Sequence, residues 1–302
     1  MPLHVWSSAK YSFPLPNGHR FPIAKYARLR ERVIAEGIVP AHMVHDPARV
    51  SLDDLLLVHT ADYVDRFTSG ALTNDEERRL GFPWSEALVE RAYRAAGGTI
   101  EAVRAALDEG VAMNLAGGTH HAFPSHGEGF CVFNDVAIAI RALQRDRLID
   151  RAAVIDLDVH QGNGTNAVFA DDDRVFTFSM HGGRNYPFRK VAGSLDIELG
   201  DHAGDDVYLA LLADTLPRVI DAARPDLVVY LAGADPHEHD RLGRLALTFD
   251  GLARRDSMVL EQCREVGIPV AVTIAGGYGD PIDDTVQVHV TTASIAARYS
   301  RS

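Results

Sequence analysis

"RAAVIDLDVHQGNGT" (residues 151–165) decides how the rest of the chain is read. Its first half is a short, unbroken apolar run of the kind that makes a strand buried on both faces. Its second half sets Asp156, Asp158 and His160 at every second position and then breaks at Gly162 and Gly164. On an extended chain those three side chains share one face, with the glycines turning the backbone beside them. A buried strand ending in two carboxylates and an imidazole needs something to answer those charges.

Four further segments, 111–118, 174–180, 226–233 and 269–277, have the same short apolar character and the same Gly or polar stops. Helical patterns over 85–108, 134–146, 206–223, 249–266 and 282–297 alternate with them. This alternation predicts an α/β fold, a mainly parallel sheet flanked by helices on both faces. No internal repeat or low-complexity linker divides residues 1–302, so a single domain is expected. Beyond the five strands come "GGTHHAF", "HQGNGT", "HGGRNYP", "GADPHEHDRLG" and "GGYGD". Open α/β sheets bind ligands beyond the carboxyl ends of their strands, and these five ends project to one rim.

Composition narrows the partners. The formal charge is −12 over 302 residues, and the lysines are only Lys10, Lys25 and Lys190. Neither a nucleic-acid backbone nor an acidic membrane surface suits such a chain. Two cysteines, Cys131 and Cys263, stand far apart in no CxxC arrangement, which fits a reducing compartment rather than a disulfide scaffold. The first 21 residues lack a secretion signal's apolar stretch, and no run approaches the roughly 20 apolar residues of a membrane span. A cytoplasmic protein is expected.

Asp158 and His160 offer carboxylate oxygen and imidazole nitrogen to a divalent cation. Asp235, closing the apolar "VVYLAGA", is the natural third ligand, because burying it unpaired would be costly. Three ligands leave a position open for water and substrate. Asp156 lies deeper: it is either another carboxylate on the metal or, as its depth argues, a group orienting a histidine or holding a monovalent ion. Asp171, Asp172 and Asp173 read as a solvated turn. Of the tandem His120 and His121, one can take a proton from the attacking water. Tyr278, inside the Gly-Gly-Tyr-Gly turn at 276–279, can donate to a developing oxyanion. Cys131 has no base near it in sequence and reads as an inert buried thiol. Together these parts describe a metal-dependent hydrolase. An inactive metal-binding scaffold would lack a histidine of the pair, Tyr278 or a ligand, and this chain has them all.

With "AGGTHHAF", "GEGFCVFND" (127–135), "IDLDVHQGNGT", "VVYLAGADPHEHDRLGRL" and "IAGGYG" in order, the chain resembles the histone deacetylase superfamily. The resemblance covers nearly its whole length, starting from "HRFPIAKYARLRE" (19–31). "GGTHHA", "HQGNG" and "DRLG" are similar to the class IV branch and its bacterial relatives, more than to classical deacetylases or acetylpolyamine amidohydrolases. The resemblance implies an arginase/deacetylase-like fold around about eight strands, with zinc or ferrous iron on Asp158, His160 and Asp235. It implies His121 as general base, His120 as its electrostatic partner and Tyr278 polarising the scissile carbonyl. Gly129, Phe130, Tyr186 and Gly276 would line a narrow acyl-lysine tunnel, and Asp156 with Ser179 would form an internal potassium site. Asp156 would also orient His120. Asn163 stands where classical members carry Asp, and "DRLG" would organise the loop after Asp235. An amide cannot steady an imidazolium as a carboxylate does, so activated or longer acyl groups are expected to be better substrates than acetyl.

The substrate implied is an acyl-lysine protein or peptide, with a small acylated amine such as an acetylpolyamine as the rival. Segments 12–22, 68–84 and 184–192 should be open for a peptide and occluding for a small amine. Nothing in the sequence sets the oligomeric state.

Overall fold

Each of the five apolar runs forms a strand in the computed structural model of the chain, which describes residues 2–300. With three further strands they are β1 (His4–Trp6), β2 (Val44–His45), β3 (Val111–Asn114), β4 (Ala152–Asp156), β5 (Val175–Gly182), β6 (Leu195–Leu199), β7 (Leu227–Leu231) and β8 (Val270–Thr273). They form one sheet in the order β2-β1-β3-β8-β7-β4-β5-β6. Every pairing in it is parallel.

The strands end sooner than their apolar runs suggest. β4 stops at Asp156, so Asp158 and His160 do not continue it, contrary to the period-two reading. The cause is local. Asp156 Oδ1 accepts the backbone N–H of Asp158 at 3.2 Å, and Asp158 Oδ1 accepts that of His160 at 2.9 Å. Aspartates that capture the backbone two residues on bend it out of the ladder. β3, β7 and β8 likewise release the chain after Asn114, Leu231 and Thr273, so the last residues of those runs are loop.

All five expected helices form: Glu86–Glu109, Asp135–Arg145, Asp205–Ala223, Phe249–Glu265 and Ile282–Tyr299. Three begin at side-chain caps, where Ser85, Asn134 and Thr248 accept the N–H of Leu88, Ala137 and Gly251. Helices Lys25–Ala35, Ala61–Ser69, Asn74–Leu80 and Asn163–Phe169 were not anticipated. Helix Glu86–Glu109 lies directly under the segment following β2. A Cβ at Gly97 would stand 2.0 Å from the Ala48 carbonyl oxygen, so only glycine lets the two approach.

The core is continuous and follows the sheet. Val154, Ile155, Val228, Val229, Ala271 and Val272 of the three central strands are all fully buried. Beneath the strand ends Arg255, also fully buried, pairs with Asp256. It donates to the carbonyls of Leu157 at 3.2 Å and Gly233 at 2.7 Å, fastening the exits of β4 and β7 together. Among the described residues no helix is long and apolar enough to cross a membrane.

Candidate active site

Because β4 and β7 pair in register, Asp156 opposite Leu231, the loops leaving them meet above the sheet. Asp158, His160 and Asp235 come together there, each offering a ligand atom within 4.8 Å of the others, and all are buried. His160 Nδ1 lies 2.9 Å from Asp158 Oδ1 and 3.2 Å from Asp235 Oδ2. The remaining carboxylate oxygens are fixed by backbone: Gly276 N–H donates to Asp158 Oδ2 at 2.7 Å, and Val159 N–H to Asp235 Oδ1 at 2.9 Å. Burial and the charge of Asp158 push Asp235 up to about 7. Burial opposes a charge on His160, yet hydrogen bonds to the two carboxylates outweigh it and hold the imidazole up to about 10. Such a trio calls for positive charge, a proton or a cation.

The donor set fits zinc or ferrous iron, which take imidazole nitrogen and carboxylate oxygen together. The space fits as well. A Cβ at position 276 would fall 1.9 Å from Asp235 Oδ2 and 2.6 Å from Asp158 Oδ2, so glycine keeps the cradle open. The acidic run at 171–173 gathers no such set; Asp172 is ion-paired with Arg141 and Arg174. A looser group, His237, His239 and Asp284, contains an exposed His239–Asp284 pair at 3.1 Å.

His120 and His121 stand beside the trio with ring centroids 4.1 Å apart. Their loop is anchored by Asp135, which accepts the N–H groups of Gly118 at 3.0 Å and Thr119 at 2.7 Å. His120 Nδ1 donates to Asp156 Oδ2 at 2.6 Å, and His121 Nδ1 to Asn163 Oδ1 at 2.7 Å. The two neighbours therefore differ in charge. Burial works against a cation on His120, but Asp156 and Asp158 hold it up to about 9. Burial and the adjacent His120 and His160 cations hold His121 well below the usual histidine range, so it is neutral at pH 7. A neutral imidazole beside open space is a competent base.

Tyr278 is buried across the site, its ring 6.3 Å from that of His160. Asp240 sets its place, accepting the Tyr278 N–H at 2.5 Å and those of Leu242 and Gly243 at 2.8 and 2.9 Å. Thus "DRLG" organises the loop. Gly129 and Tyr186 flank His121: a Cβ at 129 would meet its ring at 2.7 Å, and the Tyr186 ring stands 4.9 Å away. Phe130, with positive φ, faces Tyr278 at 6.0 Å. Ser179 lies opposite Asp156 in the sheet, but its hydroxyl is engaged with His181 Nδ1 at 2.8 Å. Burial pushes the Cys131 thiol up, leaving it protonated and inert.

The profile of the family described as "Histone deacetylase domain" matches residues 19–293. The chain belongs to the histone deacetylase family. Among histone deacetylase relatives it is 33% identical over 270 residues to histone deacetylase 2 of Arabidopsis thaliana, covering 86% of this chain and 70% of that one. It is 30% identical over 285 residues to the histone deacetylase-like amidohydrolase of Pseudomonas aeruginosa, covering 88% and 74%. The crystal structure of a histone deacetylase homologue from Aquifex aeolicus superposes with a TM-score of 0.86 at 24% identity, over 99% of this chain and 84% of that one. The fold is therefore the histone deacetylase fold, and the chain is a hydrolase of that family.

Three features of this histone deacetylase-family site escaped the sequence reading. Lys25 is buried and donates to the carbonyls of Ala275 and Gly277 at 3.3 and 3.4 Å, bracing the Tyr278 turn. Arg91 lines the floor of the cleft, donating to the Tyr26 hydroxyl at 2.6 Å. Glu128 stands behind Asn163. All three come from segments read only as helix or motif background, and nothing local marks them.

Proposed function

We propose that this protein hydrolyses the amide of N-acyl-lysine, releasing a carboxylate and the free amine. The observation that carries the reading is convergence: Asp158 and His160 of the buried trio, the neutral His121 and Tyr278 all line one cleft, with Asp235 closing the trio behind them. A zinc or ferrous ion on Asp158, His160 and Asp235 would supply Lewis acidity to water and to the scissile carbonyl.

The protein's own groups do the rest. His121 takes the proton of the attacking water at Nε2, its Nδ1 proton being committed to Asn163. Tyr278 donates its hydroxyl hydrogen to the carbonyl oxygen as negative charge gathers there. His120, cationic through Asp156, steadies that charge, and the proton collected by His121 passes to the leaving nitrogen. Gly129, Phe130, Tyr186 and Gly276 wall the approach. Asp156 and Ser179 are candidate ligands of an internal potassium ion, and a cytoplasmic, class IV-like enzyme remains our reading.

Our reading is acyl-lysine in a peptide, with a small acylated amine as the rival, and the two differ in what they need at the rim. Segments 12–22 and 68–84 meet there, with His19 donating to the Gly81 carbonyl at 3.0 Å. Phe188 in segment 184–192 is 88% exposed with its ring 6.2 Å from that of Tyr186, within reach of residues flanking an acyl-lysine. The test is turnover of acetyl-, trifluoroacetyl- and long-chain acyl-lysine peptides beside acetylated polyamines, on zinc- and iron-loaded protein. Peptide turnover is expected, with Tyr278→Phe lowering kcat by about 10²–10³ and His121→Ala by about 10²–10⁴, both at unchanged metal content. Turnover of polyamines alone would overturn the substrate, and wild-type rates in both variants would overturn the site.

A further inference from the structure

Asn163 does not end the line of contacts behind His121. Its side-chain nitrogen donates to Glu128 Oε1 at 2.7 Å, as close as its oxygen lies to His121 Nδ1. Glu128 also faces His126 Nε2 at 3.7 Å, and these neighbours hold its carboxyl below the usual carboxylate range against its partial burial. These contacts keep it ionised.

The chemistry of the three groups fixes their order. A side-chain amide has a donor end and an acceptor end of nearly the same shape, and its partners alone choose which way it points. An ionised carboxylate accepts and never donates, so Glu128 claims the NH2 end. The oxygen is left for His121, and an acceptor there requires the imidazole proton on Nδ1. Nε2 then keeps its lone pair. With the amide reversed, its NH2 would press on Nδ1, drive the proton to Nε2 and leave no base in the cleft.

We propose that Glu128 is a positioning residue. Through Asn163 it sets the tautomer of His121, and it lends the imidazolium, one amide removed, the negative charge that an aspartate at 163 would lend directly. Aligned hydrogen bonds polarise one another, so the amide transmits part of that charge. The inference rests on His121 acting as base in amide hydrolysis. It also revises what Asn163 by itself suggests, since the charge missing from position 163 is present one residue further back.

A clamp that merely held the rim together would be lost additively with its neighbours, whereas a relay has a distinctive rescue. kcat and KM for an acyl-lysine peptide would be measured on E128Q, E128D, N163D and the double variant E128Q/N163D, with melting and bound metal measured alongside. E128Q should lower kcat about tenfold to 100-fold with KM little changed, the range commanded by groups that orient a functional imidazole. E128D should retain more activity than E128Q. N163D should also be impaired, because it sets two carboxylates face to face. E128Q/N163D should exceed both single variants, since one carboxylate behind His121 suffices. Wild-type kcat in E128Q, or a double variant no better than N163D, would overturn the proposal.

If the wild-type protein turned over no acyl-lysine at all, the substrate reading would fall separately. The relay would then be judged by 15N spectra of the His121 imidazole. The Nδ1–H form is expected in the wild type and a mixture in E128Q; an unchanged tautomer would overturn it.

Discussion

Gly276 shows how much a single residue decides. Its missing side chain leaves the space between Asp158 and Asp235, and its N–H fixes one of their oxygens. Gly276→Ala should therefore weaken metal binding at the trio by on the order of 10–100-fold while the sheet still forms, which metal analysis and circular dichroism together would check. The tandem histidines make a related point. Two adjacent residues of one type hold opposite charge states because their partners differ, Asp156 for His120 and Asn163 for His121. The pair was conspicuous in the sequence, as were Asp158, His160 and Asp235, since polar groups after buried runs call for partners. Glu128 and Lys25 were not, because each acts through a contact between segments that no local pattern joins.

Among the elements, legibility followed length and burial. The five anticipated helices show a clear 3.6-residue period, three of them with side-chain caps, and their ends agree with expectation to within two residues. β1 and β2, with three and two residues, are too short to show any period. Edge strand β6, "LDIEL", is half exposed and never reads as an apolar run. Helix Asn163–Phe169 opens on "NGTN", a turn signature held helical by tertiary contacts. One connection between elements has a consequence in acid. His59 is buried with Nδ1 donating to the Phe123 carbonyl at 3.1 Å and Nε2 accepting the Asn134 N–H at 2.9 Å. Burial lowers its pKa from 6.5 to about 4, so the unfolded chain binds a proton there that the folded chain refuses. Stability should fall by up to about 3 kcal/mol as pH drops from 6.5 to 4 and level off below that. Urea melts of wild type and His59→Gln across this range would check it: the variant should lose that part of the slope.

At the scale of the whole molecule the trio ties together the loops leaving β4 and β7, His160 and Asp235 lying 75 positions apart in the chain. A cation bound there stabilises only the folded state. At 100 times its Kd it should add about 2.7 kcal/mol, so chelation should lower Tm by several degrees and re-addition of zinc should restore it, as calorimetry would read. Asp158→Asn should abolish the response. The strand order carries one more implication, which concerns how the molecule comes into being. β8, the last strand in the chain, lies between β3 and β7 in the middle of the sheet. Until residues 270–273 are made, the nascent chain can build only two separate ribbons, β2-β1-β3 and β7-β4-β5-β6, each with a bare edge of unpaired backbone. Such edges invite pairing with other chains, and joining strands so distant in sequence is slow. Birth on the ribosome is thus the protein's most vulnerable moment, and a copy cut short before residue 270 would be two sticky halves rather than a weaker enzyme.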